Sequence, residues 1–265
     1  MPTIQPGLEL ELHTAKAGRI AVMHHLDLRF VGTGNAFAPE GLCWNGFLAN
    51  NRYLFEAPPQ ALMSLNRLGV DPNQLEAVIV SHHHGDHFLG LPFLILHWKY
   101  QGRVAPIRIV GPPGTEQLTH DIGERVYPGL FEINYDIEWV VAEPGNKLTV
   151  GALELEPVAV KHDTRLDLSL GYAARLDGRR FAYTGDTALC DAVLDLARGA
   201  EVLVSECASR DGQIEIHMNL VDDMPQVQAA LGPDAHLLLT HLGPGVDSNG
   251  LARTVVARDF ESYRF

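Results

Sequence analysis

The chain has 265 residues, of which 46% are hydrophobic and 20% are charged, so it can bury a sizeable core and its composition excludes general disorder. Its formal net charge of −13 is spread along the sequence, which disfavours extended nucleic acid and membrane headgroups as partners. No apolar run reaches the roughly 20 residues that span a bilayer, and the first residues lack the pattern of an export signal. The three cysteines have no CxxC spacing and fit reduced thiols. We expect a single domain over residues 1–265 in the cytoplasm.

The first part of the sequence predicts strands and one helix. Alternating apolar residues predict strands within 8–31, and the glycine-rich stretch 31–37 predicts a turn. Residues 46–59 predict a hairpin that turns at two adjacent asparagines. Residues 60–70 have the apolar spacing of a helix that ends at a glycine.

The rest of the sequence alternates strands with helices. Residues 75–81 form a short apolar run rich in β-branched residues, which predicts a buried strand, and 89–100 predicts a helix. Further strands are predicted within 106–114, 137–145, 153–163, 169–186, 201–207 and 236–243, and helices near 115–126 and over 224–232. This order predicts paired sheets that are covered by helices.

A dense histidine segment, SHHHGDH, ends the strand predicted at 75–81. Four imidazoles and a carboxylate so close together either decorate a solvated loop or hold metal ions. Alternate side chains of an extended loop point the same way, so His82 and His84 can share one metal. Asp86 and His87 can then serve a second metal, while His83 points away. Three more candidate ligands end apolar runs downstream: His162, Asp186 and His241.

The HxHxDH pattern, followed in order by isolated His, Asp and His at strand ends, resembles the metallo-β-lactamase fold superfamily from about Phe30 onward. The segments VGTG, SHHHGDHFLGLP, GYAARLDGRRFAYTGDT, SECA and LTHLG are similar to its ribonuclease Z-like branch and to smaller phosphodiesterases. The resemblance implies an α/β fold with four layers, an αββα sandwich. It also implies a hydrolase that uses a hydroxide bridging two divalent metal ions, with zinc expected and manganese or iron as alternatives.

The resemblance further implies a role for each candidate residue. It assigns metal one to His82, His84 and His162, metal two to Asp86, His87 and His241, and the bridging position to Asp186. His217, in the segment EIHMN, is the candidate general acid that protonates the leaving group, and Asp86 also counts as a catalytic residue. The alternative for His217 is a solvated loop histidine. Glu56, where related chains have Asp, and Glu206 at a strand end are candidates for orienting the ligand imidazoles.

Several function classes remain open at this point. Ribonuclease Z enzymes hold transfer RNA with an arm between the third histidine motif and the bridging aspartate. Here His162 and Asp186 are only 24 positions apart and a hairpin fills the interval. A small phosphodiester is therefore the expected substrate. The alternatives are hydrolysis at carbon, of a lactone, a thioester or an aryl halide, and a non-catalytic metal-binding module. By analogy with relatives, a homodimer is the expected oligomeric state.

Overall fold

The computed structural model describes residues 25–212 and 214–265, so the strands predicted within 8–24 lie outside the described residues. The strands are β1 (Asp27–Gly32), β2 (Gly46–Ala49), β3 (Tyr53–Phe55), β4 (Ala77–Ile79), β5 (Ile107–Gly111), β6 (Ile137–Val141), β7 (Leu148–Val150), β8 (Leu153–Ala159), β9 (Leu170–Leu176), β10 (Arg179–Tyr183), β11 (Val202–Glu206), β12 (His236–Thr240), β13 (Thr254–Val256) and β14 (Ser262–Arg264). The helices are α1 (Ala61–Arg67), α2 (Gly85–Phe88), α3 (Leu91–Tyr100), α4 (Thr115–Val126), α5 (Asp191–Gly199) and α6 (Met224–Ala230).

Within the described residues the strands form two mixed sheets of seven strands each, with the orders β14-β1-β2-β3-β4-β5-β6 and β13-β12-β11-β10-β9-β8-β7. Half of each sheet is antiparallel: the pairs from β14 to β3 in the first sheet and from β7 to β10 in the second. The pairs from β3 to β6 and from β10 to β13 are parallel. Parallel neighbours require long crossover connections, and most of the helices lie in these connections.

The two sheets pack face to face through aromatic and aliphatic side chains. Phe47 and Phe55 of the first sheet stack with ring centroids 4.7 Å apart, and Tyr183 meets Phe47 edge-on at 5.3 Å. The buried hydroxyl of Tyr172 donates to the carbonyl of Val80 at 2.7 Å, which links the second sheet to the end of β4. A buried tyrosine needs such a partner because an unpaired hydroxyl in the core costs free energy.

Helices cover both outer faces of the paired sheets. Buried side chains of α1 and α3, including Leu65 and Trp98, pack on the first sheet, and α4 contributes Leu118. Side chains of α5 and α6, including Leu196 and Val227, pack on the second sheet. The predicted four-layer αββα sandwich is therefore confirmed. None of the helices in the described part of the chain is long and apolar enough to cross a membrane.

The periodicity of the sequence predicted most of these elements. Asn50 and Asn51 turn the β2-β3 hairpin with φ angles of 49° and 56°, the left-handed backbone that tight hairpin turns require. One prediction is wrong: the histidine segment is not extended throughout, because Gly85–Phe88 forms the helical turn α2. The sequence analysis missed α5, β7, β13 and β14. The strands β7, β13 and β14 have only three residues each, which is too few for an alternating pattern to show.

Candidate metal centre

The candidate ligands converge where strands of both sheets end. The histidine segment follows β4 of the first sheet, and the other candidates follow strands of the second sheet: His162 after β8, Asp186 after β10 and His241 after β12. The backbone N–H of Leu170, at the start of β9, donates to the carbonyl of Ser81 at 3.1 Å and joins the two sheets at this edge. Carboxyl ends of parallel strands share one edge, which explains why loops of distant sequence meet here.

His82, His84 and His162 form the first group of donor atoms. Nδ1 of His84 lies 3.1 Å from Nε2 of His82 and 3.1 Å from Nε2 of His162. The remaining nitrogens of two of these rings are held by neighbours. Nδ1 of His82 lies 2.8 Å from the hydroxyl of Ser81, and Nδ1 of His162 lies 3.0 Å from the carbonyl of Ile216. Three ring nitrogens therefore lie close enough together to bind one metal ion when the rings are neutral.

Asp86, His87, Asp186 and His241 form the second group. Nε2 of His87 lies 3.2 Å from Oδ2 of Asp86 and 3.2 Å from Oδ2 of Asp186. Nε2 of His241 lies 3.1 Å from the same Asp186 oxygen. Asp186 Oδ2 is also 3.9 Å from Nε2 of His82 in the first group. The carboxylate of Asp186 thus stands between the two groups.

The donor set fits divalent cations. Within residues 25–212 and 214–265, several buried polar atoms at this edge have no hydrogen-bond partner: Asp86 Oδ2, Asp186 Oδ1 and both ring nitrogens of His87 and of His241. Buried polar atoms without partners cost free energy, and native proteins contain few of them. Imidazole nitrogens and carboxylate oxygens are the ligands that zinc and similar metals take, so cations bound here would satisfy Asp86 Oδ2 and the Nε2 atoms of His87 and His241.

The electrostatics of the second group favour a positive charge at its centre. Burial opposes the charged form of His87, but Asp186, Asp86 and Glu56 surround the ring and raise its pKa well above the usual range. Burial would raise the pKa of Asp86, yet His87 and His241 lower it. Burial would likewise raise the pKa of Asp186, and His241 and His87 hold it well below its usual range. These carboxylates are ionised and offer lone pairs to a cation.

The first group has the opposite character. Burial lowers the pKa of His82 well below its ordinary value, and neighbouring imidazoles add to that effect. Burial also lowers the pKa of His162. Both rings are neutral at pH 7, and neutral imidazole is the form that binds metals.

His217 lies beside both groups and pairs with Glu206. One of its ring nitrogens lies within 4.8 Å of donor atoms of His162 and Asp186. Its Nδ1 is 2.8 Å from Oε1 of Glu206. Burial lowers the pKa of His217, but the Glu206 carboxylate outweighs burial and raises it to about 9. The solvated-loop alternative for His217 is wrong, since only 14% of the side chain is exposed.

Glu56 stands where the resemblance to the superfamily implies Asp. Its side chain is fully buried, with Oε1 3.5 Å from Nδ1 of His87. The other oxygen accepts a hydrogen bond of 3.2 Å from the backbone N–H of Ser81. Glu56 thus contacts the side of His87 that faces away from Asp86 and Asp186, as the orienting role requires.

Three residues at this edge have a left-handed backbone conformation. Glu56 and His241 have φ angles of 64° and 50°, which side chains other than glycine rarely adopt. Gly185, directly before Asp186, has a φ of 59°, and a Cβ atom there would lie 2.4 Å from the Leu170 carbonyl oxygen. Such conformations cost about 1–3 kcal/mol at non-glycine residues and persist where the surroundings hold them, typically at functional sites.

The structure brings all seven candidate ligands together and turns His83 away, with its Nε2 2.8 Å from Oγ1 of Thr115. Asp86 and His87 belong to one donor group, but they lie on consecutive positions of the helical turn α2 and not on an extended loop. The sequence analysis missed Asp163, whose carboxylate lies 3.4 Å from Nε2 of His84. The available signal was its place directly after His162, at the same strand end.

Comparisons with known proteins agree with this fold. Residues 51–242 match the family model described as beta-lactamase superfamily domain. Ribonuclease Z from Methanosarcina acetivorans is 25% identical over 272 residues, covering 82% of this chain and 87% of that protein. Ribonuclease BN from Escherichia coli O7:K1 is 28% identical over 246 residues, covering 75% of this chain and 80% of that protein.

Two solved structures share the fold. The metallo-beta-lactamase fold protein YhfI from Bacillus subtilis superposes with a TM-score of 0.74 at 18% identity, covering 91% of this chain and 99% of that chain. The short form of human tRNase Z superposes with a TM-score of 0.71 at 20% identity, covering 89% of this chain and 98% of that chain. The chain therefore belongs to the beta-lactamase superfamily domain family: it is a ribonuclease Z-like metal-dependent hydrolase with the metallo-β-lactamase fold.

Proposed function

We propose that the chain hydrolyses phosphodiesters with two divalent cations, most simply zinc, held at the candidate metal centre. The observation that carries the proposal is the pair of adjoining donor groups with Asp186 between them. The first cation would be held by His82, His84 and His162, the second by Asp86, His87 and His241, and Asp186 would contact both. Two bound cations lower the pKa of water and stabilise the negative charge that builds up on a phosphoryl group.

The protein's own side chains supply the remaining chemistry. A phosphodiester needs a proton on the oxygen that leaves, since an alkoxide is a poor leaving group. We assign that proton to His217. Glu206 accepts the Nδ1 proton of His217, so the ring presents Nε2 to the donor groups. The raised pKa keeps His217 protonated at neutral pH, and on losing the Nε2 proton to the leaving oxygen the ring becomes neutral.

Glu206 is fully buried and accepts several hydrogen bonds from the backbone. Its carboxylate accepts backbone hydrogen bonds from Thr187 at 2.6 Å, Ala208 at 3.2 Å and Met218 at 3.3 Å. Burial raises the pKa of Glu206 above its usual range, although the neighbouring His217 acts in the opposite direction. Hydrogen bonds from backbone N–H groups favour the ionised form of a carboxylate. The carboxylate therefore fixes one orientation of the His217 ring.

A small phosphodiester is the substrate class that we favour. Between His162 and Asp186 the chain runs directly into the β9-β10 hairpin, which is part of the second sheet, so this interval is too short for an arm that grips transfer RNA. The net charge of −13 also repels a long phosphate backbone. The relatives named ribonuclease Z and ribonuclease BN favour RNA as a second candidate.

A substrate panel tests the proposal. Zinc-loaded protein would be assayed on bis-p-nitrophenyl phosphate, cyclic nucleotides, a transfer RNA precursor with a 3′ extension, and lactone and thioester substrates, with Asp186→Ala as the inactive control. The proposal predicts turnover of small phosphodiesters that Asp186→Ala lacks. If kcat/KM for the transfer RNA precursor is higher than for any small diester, the substrate class is RNA and not small phosphodiesters. Turnover confined to lactones or thioesters would overturn phosphodiester hydrolysis.

A further inference from the structure

The three histidines of the first group are not oriented in the same way. His82 and His162 point Nε2 toward the shared point and hold Nδ1 against the Ser81 hydroxyl and the Ile216 carbonyl. His84 is reversed, with Nδ1 toward the shared point and Nε2 outward. A third of the His84 side chain is exposed, whereas that of His82 is fully buried. Packing alone therefore restrains His84 less than its neighbour.

The outward nitrogen of His84 faces a carboxylate. Oδ2 of Asp163 lies 3.4 Å from Nε2 of His84, and only 7% of the Asp163 side chain is exposed. A carboxylate beside Nε2 favours the tautomer with its proton on that nitrogen, because an ionised carboxylate only accepts hydrogen bonds. Nδ1 is then left with a lone pair that faces His82 and His162.

Arg165 fixes the Asp163 carboxylate in turn. Nε of Arg165 donates to Oδ1 at 2.8 Å and to Oδ2 at 3.0 Å, and a second guanidinium nitrogen lies 2.5 Å from Oδ2. The backbone N–H of Arg165 also donates to Oδ1 at 3.0 Å. These hydrogen bonds hold the pKa of Asp163 well below its usual range. The Arg165 side chain is 84% exposed, so its contact with Asp163 is made at the rim of the site.

We propose that Asp163 and Arg165 act together as positioning residues for His84: the Asp163 carboxylate sets the tautomer and ring orientation that present Nδ1 to the first metal, and Arg165 holds the carboxylate in place. This inference rests on the proposed function, because it takes the first group as a metal site. Partners of this kind typically change metal affinity about 10–100-fold when they are removed. Neither residue is assigned a contact with substrate.

If Asp163 and Arg165 only stabilise the fold, the expected result is different. An ion pair that only stabilises the loop after His162 would change the melting temperature and leave metal affinity alone. Asp163→Asn separates the two roles, because the amide keeps an oxygen for the Arg165 backbone N–H and keeps the side-chain shape. Its NH2 group cannot accept the His84 Nε2 proton. Asp167→Asn is the matched control, since Asp167 is an exposed aspartate in the same loop.

The experiment titrates metal-free wild type, Asp163→Asn, Arg165→Gln and Asp167→Asn with Zn2+ against a competing chromogenic chelator. Visible spectra of the Co2+-loaded proteins report the ligand geometry independently of turnover. We expect two sites in wild type and Asp167→Asn. In Asp163→Asn the Zn2+ affinity of one of the two sites should fall about 10–100-fold, and the Co2+ spectrum should change. Arg165→Gln should show a smaller loss of Zn2+ affinity at the same site.

The outcomes separate this inference from the proposed function. Two sites of unchanged affinity and an unchanged Co2+ spectrum in Asp163→Asn would overturn the positioning role while leaving the proposed function intact. A weakened site in Asp163→Asn, in a wild type that binds two metals but cleaves no phosphodiester, would support the positioning role and overturn the proposed substrate class. A wild type that binds no metal would overturn both.

Discussion

The carboxylate of Glu206 and the imidazole of His217 are 2.8 Å apart, at the edge of the two donor groups. Glu206 comes from the end of β11, and His217 comes from the loop that follows this strand. Because the backbone N–H groups of Thr187, Ala208 and Met218 also converge on the carboxylate, the geometry of the pair is set by the strand ends. In the mechanism that we propose, the pair provides an acid that is separate from the metal ligands.

Replacing His217 by Ala should leave both metals in place and remove the acid. We expect kcat/KM for a phosphodiester with an alkyl leaving group to fall by roughly 10²–10⁴-fold. Bis-p-nitrophenyl phosphate should be affected much less, because p-nitrophenolate leaves without a proton. Metal content by plasma emission is the control. An equal loss on both substrates would show that His217 is not the acid.

Glu206→Gln should change the pH dependence of the reaction. The Glu206 carboxylate raises the pKa of His217 to about 9, so the protonated acid is present below that pH and is lost above it. Removing the negative charge lowers the pKa of His217, and the alkaline limb of kcat/KM for an alkyl diester should move to lower pH. An alkaline limb at the same pH in wild type and in Glu206→Gln would show that Glu206 does not raise the pKa of His217.

The same variant should also be less stable than wild type. The amide NH2 of Gln would face N–H donors that now point at an ionised carboxylate, leaving at least one buried donor unpaired. We expect the free energy of unfolding to fall by about 1–3 kcal/mol. Urea denaturation of the metal-free proteins measures this change, and an unchanged midpoint would mean that the backbone donors find other partners.

Asp186→Ala tests the assignment of the bridging position. Asp186 Oδ2 is the oxygen that lies near His87, His241 and His82, so its loss should reduce the affinity of both sites. We expect metal content below two per chain and kcat lower by on the order of 10²–10³-fold or more. Asp136→Ala, an exposed aspartate before β6, is the control and should behave as wild type. Full metal content with full activity in Asp186→Ala would contradict the assignment.

Cys43 should be a poorly reactive thiol although it is only partly buried. Burial and the nearby Asp259 carboxylate raise the pKa of Cys43 to about 11. At pH 8 only about one molecule in a thousand would then carry the reactive thiolate at this position. Iodoacetamide labelling followed by peptide mass spectrometry measures the rate, with urea-denatured protein as the control. Equal rates in the native and denatured states would contradict this prediction.

Periodicity predicted paired sheets that are covered by helices, the resemblance to the metallo-β-lactamase fold superfamily implied the four-layer sandwich, and donor chemistry selected the candidate ligands. The apolar runs before His82, His162, Asp186 and His241 are strands that end at one edge, so their spacing in sequence carried information about their convergence. Alternation along the chain also predicted that His83 turns away, and it contacts Thr115.

The remaining features depend on contacts that no local pattern encodes. The helical turn α2 brings Asp86 and His87 into one donor group, and the alternation of an extended loop does not predict that turn. The Asp163 contact with His84 joins residues 79 positions apart in sequence and depends on how the two sheets meet. The pairing of His217 with Glu206 depends likewise on a loop whose path is set by tertiary contacts.

The central claim is that two metal ions, bound by these seven side chains, make this chain a phosphodiesterase. The most direct measurement is metal content by plasma emission on protein purified without chelator, together with turnover of bis-p-nitrophenyl phosphate before and after dialysis against a chelator. The account predicts about two metals per chain, loss of turnover on chelation and recovery when Zn2+ is restored. A metal-free protein, or phosphodiester turnover that is unaffected by complete metal removal, would contradict it.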